Sequence, residues 1–229
     1  TTSHSSRPNL LNVYGNGVTV LSNVPAAQTK HGVVLGIDEA GRGSVIGPMI
    51  YGMCYYDENL DVPKELGDSK QLSEHQRETL YSQILENDNV GLGVRVLHAS
   101  EISRNMFRNY NLNQMSHDAA IELIRSVPIP IRTCYIDTVG NPEYYKSRLE
   151  REFPGIDFVV ESKADDSYAP CSAASIVAKV VRDRMIRSMQ FSEPNLSNQT
   201  NFASGYPSDP ACKKWMQENS HPVFGFPDV

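Results

Sequence analysis

From His31 onward the apolar positions of the chain begin to follow regular spacings. VVLGIDE is a nearly unbroken apolar run and reads as a buried strand; GRGSVIG follows as a glycine-rich turn, and PMIYGMCYY reads as a second strand rich in aromatic and β-compatible residues. A short loop between two strands predicts a hairpin. In LSEHQRETLYSQILEN, Leu72, Leu80, Ile84 and Leu85 recur at roughly helical spacing behind a Ser73-x-x-Gln76 start of capping-box type, so a helix is expected there. VGLGVRVLHA reads as a third strand. Residues 112–125 read as an amphipathic helix with Met115, Ala119, Ile121 and Leu123, stopped by Pro128 and Pro130. RTCYIDTV predicts a short strand ending in Asp137; then come a helix over 142–152, strand FVVES, an alanine-rich helix over 169–188, a polar loop and a last helix beginning near Pro207. Strands first, then strands alternating with helices, give an α/β fold with a mixed sheet. Residues 1–30 are polar with no sustained period and read as an arm or tail, leaving residues 31–229 as one domain.

With 229 residues, 40% of them hydrophobic, the chain is long enough for a sizeable core in one or at most two globular domains. It contains no run of about 18 apolar residues, and its opening TTSHSSRPNL lacks the basic-then-apolar order of a secretory signal, so neither a membrane span nor an exported form is expected. Cys54, Cys134, Cys171 and Cys212 are too scattered for a zinc-type pair or a disulfide framework, which points to a reduced, intracellular setting. The formal net charge of −6 argues against a broad nucleic-acid-coating surface, but charge is uneven. Between Ile176 and Gln190 stand Lys179, Arg182, Arg184 and Arg187 against Asp183 alone. A local basic face beside an acidic cluster is what a metal-dependent nuclease needs.

The acidic cluster begins at Asp38 and Glu39, two carboxylates at the end of an apolar strand before a flexible turn. Neighbouring strand residues point to opposite faces, so both serve one site only if the strand ends or bulges there. Asp137 also closes an apolar strand, and Asp165 and Asp166 lie between strand FVVES and the long helix. Acids from the edges of several strands are the usual oxygen cage for Mg²⁺ or Mn²⁺. Taken singly, each is better read as a solvated strand end or a helix cap, and spacing alone does not bring them together.

GIDEAGRGSVIGPMIYG, GDSKQLSEHQR, YIDTVGNPEYY, ESKADDSYAPCSAASIVAKVVRDR and SGYPSDP, in that order from Gly36 to Pro210, resemble the motifs of type 2 ribonuclease H. DTVGNPEYYKSRLEREFPGI and HPVFGFP resemble the catalytic subunit of the eukaryotic enzyme more than the monomeric bacterial one. The resemblance implies a ribonuclease H-like fold, a central five-stranded mixed sheet flanked by helices, with a helical C-terminal part. It implies a metal-dependent endonuclease that cuts the RNA strand of RNA–DNA hybrids and nicks duplex DNA 5′ to embedded ribonucleotides, leaving 3′-hydroxyl and 5′-phosphate ends. The family's metal-binding carboxylates fall on Asp38, Glu39, Asp137 and Asp165, with Asp166 a bystander. Two Mg²⁺ ions, replaceable by Mn²⁺ and on the order of 4 Å apart, would be bridged by Asp38. Gly41, Arg42 and Gly43 match the turn that approaches the ribose 2′-hydroxyl and phosphate, Tyr206 the tyrosine that stacks on the ribose, and Lys70 a lysine near the phosphates. The 2′-hydroxyl is the group that separates RNA from DNA at one nucleotide, and glycine lets backbone donors come close to it.

The same resemblance implies two accessory subunits, a nuclear location and roles in replication and ribonucleotide excision repair. Eukaryotic members commonly continue beyond the FGFP with which this chain nearly ends, so an interface for accessory subunits is expected to be short or absent here. Ser44 stands where the family usually has Pro, and loss of the fixed φ is expected to loosen the turn. Lys163, Lys179 and Arg182 flank the acids and suit phosphate neutralisation, while a solvated helix face is the ordinary reading for Arg182 and Arg184. Ser172 and Ser175 read as packing residues, and His98, His117 and His221 have no catalytic partner spacing. Three other readings stay open on the residues alone: a related nuclease or resolvase indifferent to the 2′-hydroxyl, a non-catalytic hybrid-binding subunit, and a phosphate loop at GRGSVIG, the last weakened by the lack of a following Lys-Ser/Thr.

Overall fold

The computed structural model describes residues 17–24, 31–60, 72–189, 203–220 and 225. The strands are β1 (Val18–Ser22), β2 (Val33–Ala40), β3 (Met49–Tyr56), β4 (Val90–Leu97), β5 (Ile131–Asp137) and β6 (Asp157–Glu161); the helices are α1 (Glu74–Glu86), α2 (Ala99–Phe107), α3 (Leu112–Ser126), α4 (Pro142–Glu152), α5 (Ala164–Ser167), α6 (Ala169–Ser188) and α7 (Pro210–Asn219). One six-stranded sheet runs in the order β1-β4-β3-β2-β5-β6. Its first four strands are antiparallel, whereas β2, β5 and β6 are parallel, so the C-terminal ends of β2, β4, β5 and β6 share one edge. The near-continuous apolar sequences of β3 and β4 are explained by burial along their whole length, since helices cover both faces of the sheet.

On one face Leu35, Ile37, Tyr51 and Met53 pack with Leu123 of α3 and Tyr145 of α4. On the other, Val34, Ile50 and Cys54 pack with Ile84 of α1 and Val177 and Val181 of α6. Helix α6 lies unusually close to the sheet. A Cβ at Gly36 would stand 2.0 Å from the Pro170 carbonyl carbon, so the first turn of α6 rests directly on the backbone of β2. The Cys171 thiol donates to the Ile37 carbonyl at 3.2 Å on the same contact. A small third cluster of Ile46, Ile186, Cys212 and Trp215 fastens α7 to the far end of α6 and to the loop after β2.

The hairpin β2–β3, the capping box at Ser73 and Gln76, and the helices over 112–126, 142–152 and 169–188 agree with the sequence expectations. The expected five-stranded sheet has a sixth strand. It comes from the segment read as an arm: β1 pairs antiparallel with β4, a partner some seventy residues away whose pull leaves no local periodicity. Helix α2 is absent from those expectations although Ala99, Ile102 and Met106 recur at helical spacing; it carries no fully buried residue, and Ile102 packs partly buried against the core. The last helix starts at Pro210, not near Pro207, because Asp209 serves as its N-cap and accepts from the Ala211 amide at 2.9 Å. The four cysteines are free and buried, and no helix among the described residues is long and apolar enough to cross a membrane.

Candidate active site and its recognition turn

Strand geometry brings the acids to one edge. Ile37 of β2 pairs in parallel with Ile136 of β5, so the residues that follow them, Asp38 and Asp137, are lateral neighbours. Glu161 ends β6 beside Asp137, and the chain then turns through Lys163, in the left-handed region at φ 64°, into α5, which carries Asp165. The Ala164 amide donates to Asp137 Oδ1 at 3.1 Å and ties that segment to the strand end. Asp38 and Asp165 are buried, at 5% and 4% exposure, a setting that carboxylates seldom occupy. Asp166 is exposed.

Asp38 and Glu39 do leave β2 on opposite faces. The register Asp38↔Gly52, Glu39↔Tyr51, Ala40↔Ile50 is unbroken, so no bulge turns them together; the strand ends one residue after Glu39 instead. Asp38 faces α6, where the Ser175 hydroxyl approaches it without completing a hydrogen bond, and its Oδ1 accepts from the Glu39 amide at 2.7 Å. Burial, with the charges of Asp137 and Asp165 behind it, raises the Asp38 carboxyl to about 7 against the pull of Ser175. Burial and the charges of Asp38 and Asp137 raise Glu39 to about 8, Arg42 working in the opposite direction. On the Glu39 side the hydroxyls of Tyr51 and Tyr145 are buried without hydrogen-bond partners among the described residues, and burial together with the Glu39 charge pushes both well up.

These carboxylates fit a hard divalent cation by chemistry. They are oxygen donors, mutually repulsive and poorly solvated, and Glu39 Oε2 is buried with no hydrogen-bond partner among the described residues. They do not form a closed cage: among the described residues no three His, Cys, Asp or Glu side chains are gathered to hold an ion unaided. A small cation such as Mg²⁺ commonly takes one or two carboxylates and completes its shell with water and substrate phosphate.

Residues 41–48 form a turn beside the acids. Gly41 has φ +92°, and a Cβ there would stand 2.4 Å from the Pro48 carbonyl oxygen and 2.6 Å from Arg182 Nε, so no other residue fits unstrained. Its amide donates to the Tyr206 hydroxyl at 2.8 Å, which joins two segments of the expected recognition site that lie 165 residues apart. Arg42 turns back and donates to Ser116 Oγ at 2.9 Å and Asn113 Oδ1 at 2.5 Å at the start of α3. Gly43 is exposed. Ser44 is itself held in the turn: its amide and hydroxyl donate to the Gly41 carbonyl at 3.2 and 2.9 Å, two hydrogen bonds that oppose the expected loosening. The amides of Val45 and Ile46 donate to the Gly205 carbonyl at 2.9 and 3.2 Å, the second link to the Tyr206 segment.

Lys70 lies outside the described residues, as does His221. The basic run of α6 is not an open face. Arg184 donates to both oxygens of Glu78 and stacks over Tyr81, and Arg187 pairs with Glu74, so these arginines fasten α6 to α1. Arg182 is buried and points at the turn, which is neither a solvated face nor an open phosphate ligand. Lys163 is exposed and Lys179 half-buried. His117 is stacked on Tyr145 with ring centres 3.8 Å apart, and burial pushes its imidazole down. Sequence reasoning passed over Tyr51, Tyr145 and Ser116; the alternation along β3, which sets Tyr51 opposite Glu39, was the available signal for the first.

Residues 35–228 match the family described as Ribonuclease HII. The chain is 45% identical over 215 residues to the A subunit of Ribonuclease H2 of Homo sapiens, spanning 90% of this chain and 72% of that protein. The protein of the same name from Arabidopsis thaliana is 42% identical over 205 residues, 86% of this chain and 69% of its own. Among solved structures, the ribonuclease H2 from Pyrococcus horikoshii OT3 superposes with a TM-score of 0.68 at 34% identity, covering 81% of this chain and 86% of that one. RNase HII in its PCNA complex from Archaeoglobus fulgidus gives 0.67 at 32% identity, over 81% and 85% of the two chains.

Proposed function

The chain belongs to the ribonuclease HII family and is a ribonuclease H, and from that premise we propose that it hydrolyses the RNA strand of RNA–DNA hybrids and nicks duplex DNA 5′ to an embedded ribonucleotide. The products are 3′-hydroxyl and 5′-phosphate ends. One observation carries the reading. The buried acids Asp38 and Asp165, the half-buried Glu39 and Asp137, and a glycine turn linked to Tyr206 occupy the same edge of the sheet, so a carboxylate site stands beside a backbone surface suited to a ribose.

Asp38, Glu39, Asp137 and Asp165 would hold Mg²⁺ or Mn²⁺, which when bound supplies charge stabilisation at the scissile phosphate and a more acidic water. The chain's own residues do the rest. Asp38 and Asp137, side by side on β2 and β5, fix where positive charge can be held relative to the sheet. Gly41 and Gly43 let the backbone approach the ribose, and the Tyr206 ring supplies an apolar face against which the sugar packs. Arg42, held by Ser116 and Asn113, stiffens the turn from the other side. We further propose two accessory subunits and a nuclear location, in keeping with eukaryotic relatives that are each named as one component of a larger enzyme.

The test is cleavage of a labelled DNA duplex holding one ribonucleotide, with Mg²⁺, with Mn²⁺ and with chelator, by this chain and by Asp137→Ala. A metal-dependent nick 5′ to the ribonucleotide that the variant loses is the expected result. Cleavage of RNA–DNA hybrid with no nick at the single ribonucleotide would overturn the finer specificity. A well-folded chain that stays silent even with partner subunits added would overturn the catalytic reading.

A further inference from the structure

Arg182 is the one arginine of α6 whose residue is almost wholly enclosed, at 3% exposure. Its Nε donates to the Pro48 carbonyl at 3.3 Å, its Nη2 donates to the Ile46 carbonyl at 3.2 Å, and its guanidinium carbon stands 4.6 Å from the centre of the Tyr206 ring. Burial lowers its hold on the proton, yet arginine keeps its charge in such settings. Enclosing a guanidinium is costly unless its donors are satisfied. Here backbone carbonyls and a π face meet that need, not a phosphate or a carboxylate.

The three contacts fall on the two segments that the proposed function assigns to the ribose. Gly41 packs its backbone against the guanidinium so closely that a methyl group would not fit between them. Ile46 and Pro48 form the returning arm of the same turn, and Tyr206 is on the other side of the planar group. The bond from the Gly41 amide to the Tyr206 hydroxyl then closes a ring of contacts around Arg182. Only a planar fork can donate in its plane to two carbonyls while lying over an aromatic ring; a lysine ammonium cannot do both.

We propose that Arg182 is a positioning residue for ribonucleotide recognition, holding the Gly41 turn and the Tyr206 ring in one register so that both meet the same ribose, without itself touching nucleic acid. This rests on the recognition role proposed above for that turn and that ring. It separates Arg182 from a phosphate-neutralising arginine, which would add to the salt dependence of binding.

The experiment compares the wild-type chain, Arg182→Lys, Tyr206→Leu and the double variant on a DNA duplex with one ribonucleotide, at saturating metal and several salt concentrations. Cleavage by the wild-type chain checks the underlying reading independently. Arg182→Lys is expected to raise KM on the order of tenfold, with a smaller change in kcat and an unchanged slope of log KM against log salt. The double variant should be less impaired than the two single effects combined, because both substitutions remove the same guanidinium–ring contact. In Arg182→Gln, which removes the charge, the slope should also stay unchanged; a slope reduced by about 0.9 there would make Arg182 a phosphate ligand and overturn the proposal. Additive effects of the two substitutions would reduce it to local packing, with the same consequence. Hydrogen exchange at the Val45 and Ile46 amides needs no substrate: it should quicken in Arg182→Lys or, if that variant fails to fold, in Tyr206→Leu. Unchanged exchange there would count against any coupling of turn and ring.

Discussion

The acid site and the recognition turn are built on opposite principles although they adjoin. Asp38, Glu39 and Asp137 stand on neighbouring strands, where register and burial fix them before any side-chain contact is made. The turn at residues 41–48 has no ladder of its own. It is held by single bonds from distant parts of the chain: Tyr206, the Gly205 carbonyl, Arg182 and, through Arg42, the start of α3. The acids therefore sit in a rigid frame that makes them electrostatically unhappy. The turn sits in a frame that is satisfied but depends on a few long-range contacts. Chemistry and selectivity should accordingly fail by different routes.

The sharpest break comes from the acids. Asp38→Asn keeps the shape and removes the charge, so cleavage should fall on the order of 10³-fold or more. The metal-free variant should melt at the same or a higher temperature than the wild type, because a buried charge has been relieved, and Mg²⁺ should no longer stabilise it. A variant that loses activity together with its fold would contradict this separation. Gly41→Ala breaks the other half. With φ at +92° and the Pro48 oxygen 2.4 Å from the added carbon, strain of about 1–3 kcal/mol is expected. KM for the single-ribonucleotide duplex should rise more than kcat falls, and stabilisation by Mg²⁺ should persist.

Protonation gives a subtler probe. Asp38 and Glu39 have folded-state values raised above the ordinary carboxylate range, so the folded protein holds protons that the unfolded chain releases. Their contribution to stability is therefore lost as pH rises from about 4 through about 8. Metal-free protein should melt lower at pH 8.5 than at pH 5.5 for this reason, and Glu39→Gln or a divalent cation should narrow the gap. A gap that neither changes would place the proton elsewhere. The smallest effect belongs to Ser44. Ser44→Ala removes the hydroxyl bond to the Gly41 carbonyl and keeps the amide bond, a loss of about 0.5–1.5 kcal/mol. Ser44→Pro gives up both bonds for a fixed φ. If thermal melts rank Ser44→Pro level with the wild type, ring and hydrogen bonds are interchangeable ways to stiffen this turn.

The strand frame was legible because its causes are local. VVLGIDE and PMIYGMCYY carry the apolar density of covered strands, and Asp38 and Asp137 stand out as acids at the ends of such runs. Alternation also foretold that Asp38 and Glu39 would part, and that a strand end would be needed to reconcile them. What escaped depends on contacts between residues far apart in sequence. Arg182 looks like any helix arginine until Pro48, Ile46 and Tyr206 close over it. Ser44 reads as a loss of rigidity until its hydroxyl is seen on the Gly41 carbonyl. Helix α5 is a single turn and leaves no period to detect, whereas α2 carries Ala99, Ile102 and Met106 at helical spacing and was passed over.

The strand within residues 1–30 has a bearing on how the protein behaves at high concentration. Strand β4 is eight residues long, apolar but for Arg95 and buried throughout, and on its outer side it is paired with β1 alone. Cut back to residue 31, the chain would present that row of amides and carbonyls bare, a template for edge-to-edge association between copies. The other border of the sheet, β6, is shorter and has Asp157 and Glu161 exposed at its ends, which discourages such pairing. The five residues of β1 thus shift that border of the sheet from an eight-residue apolar strand to a shorter, half-exposed one, a weaker template for self-pairing.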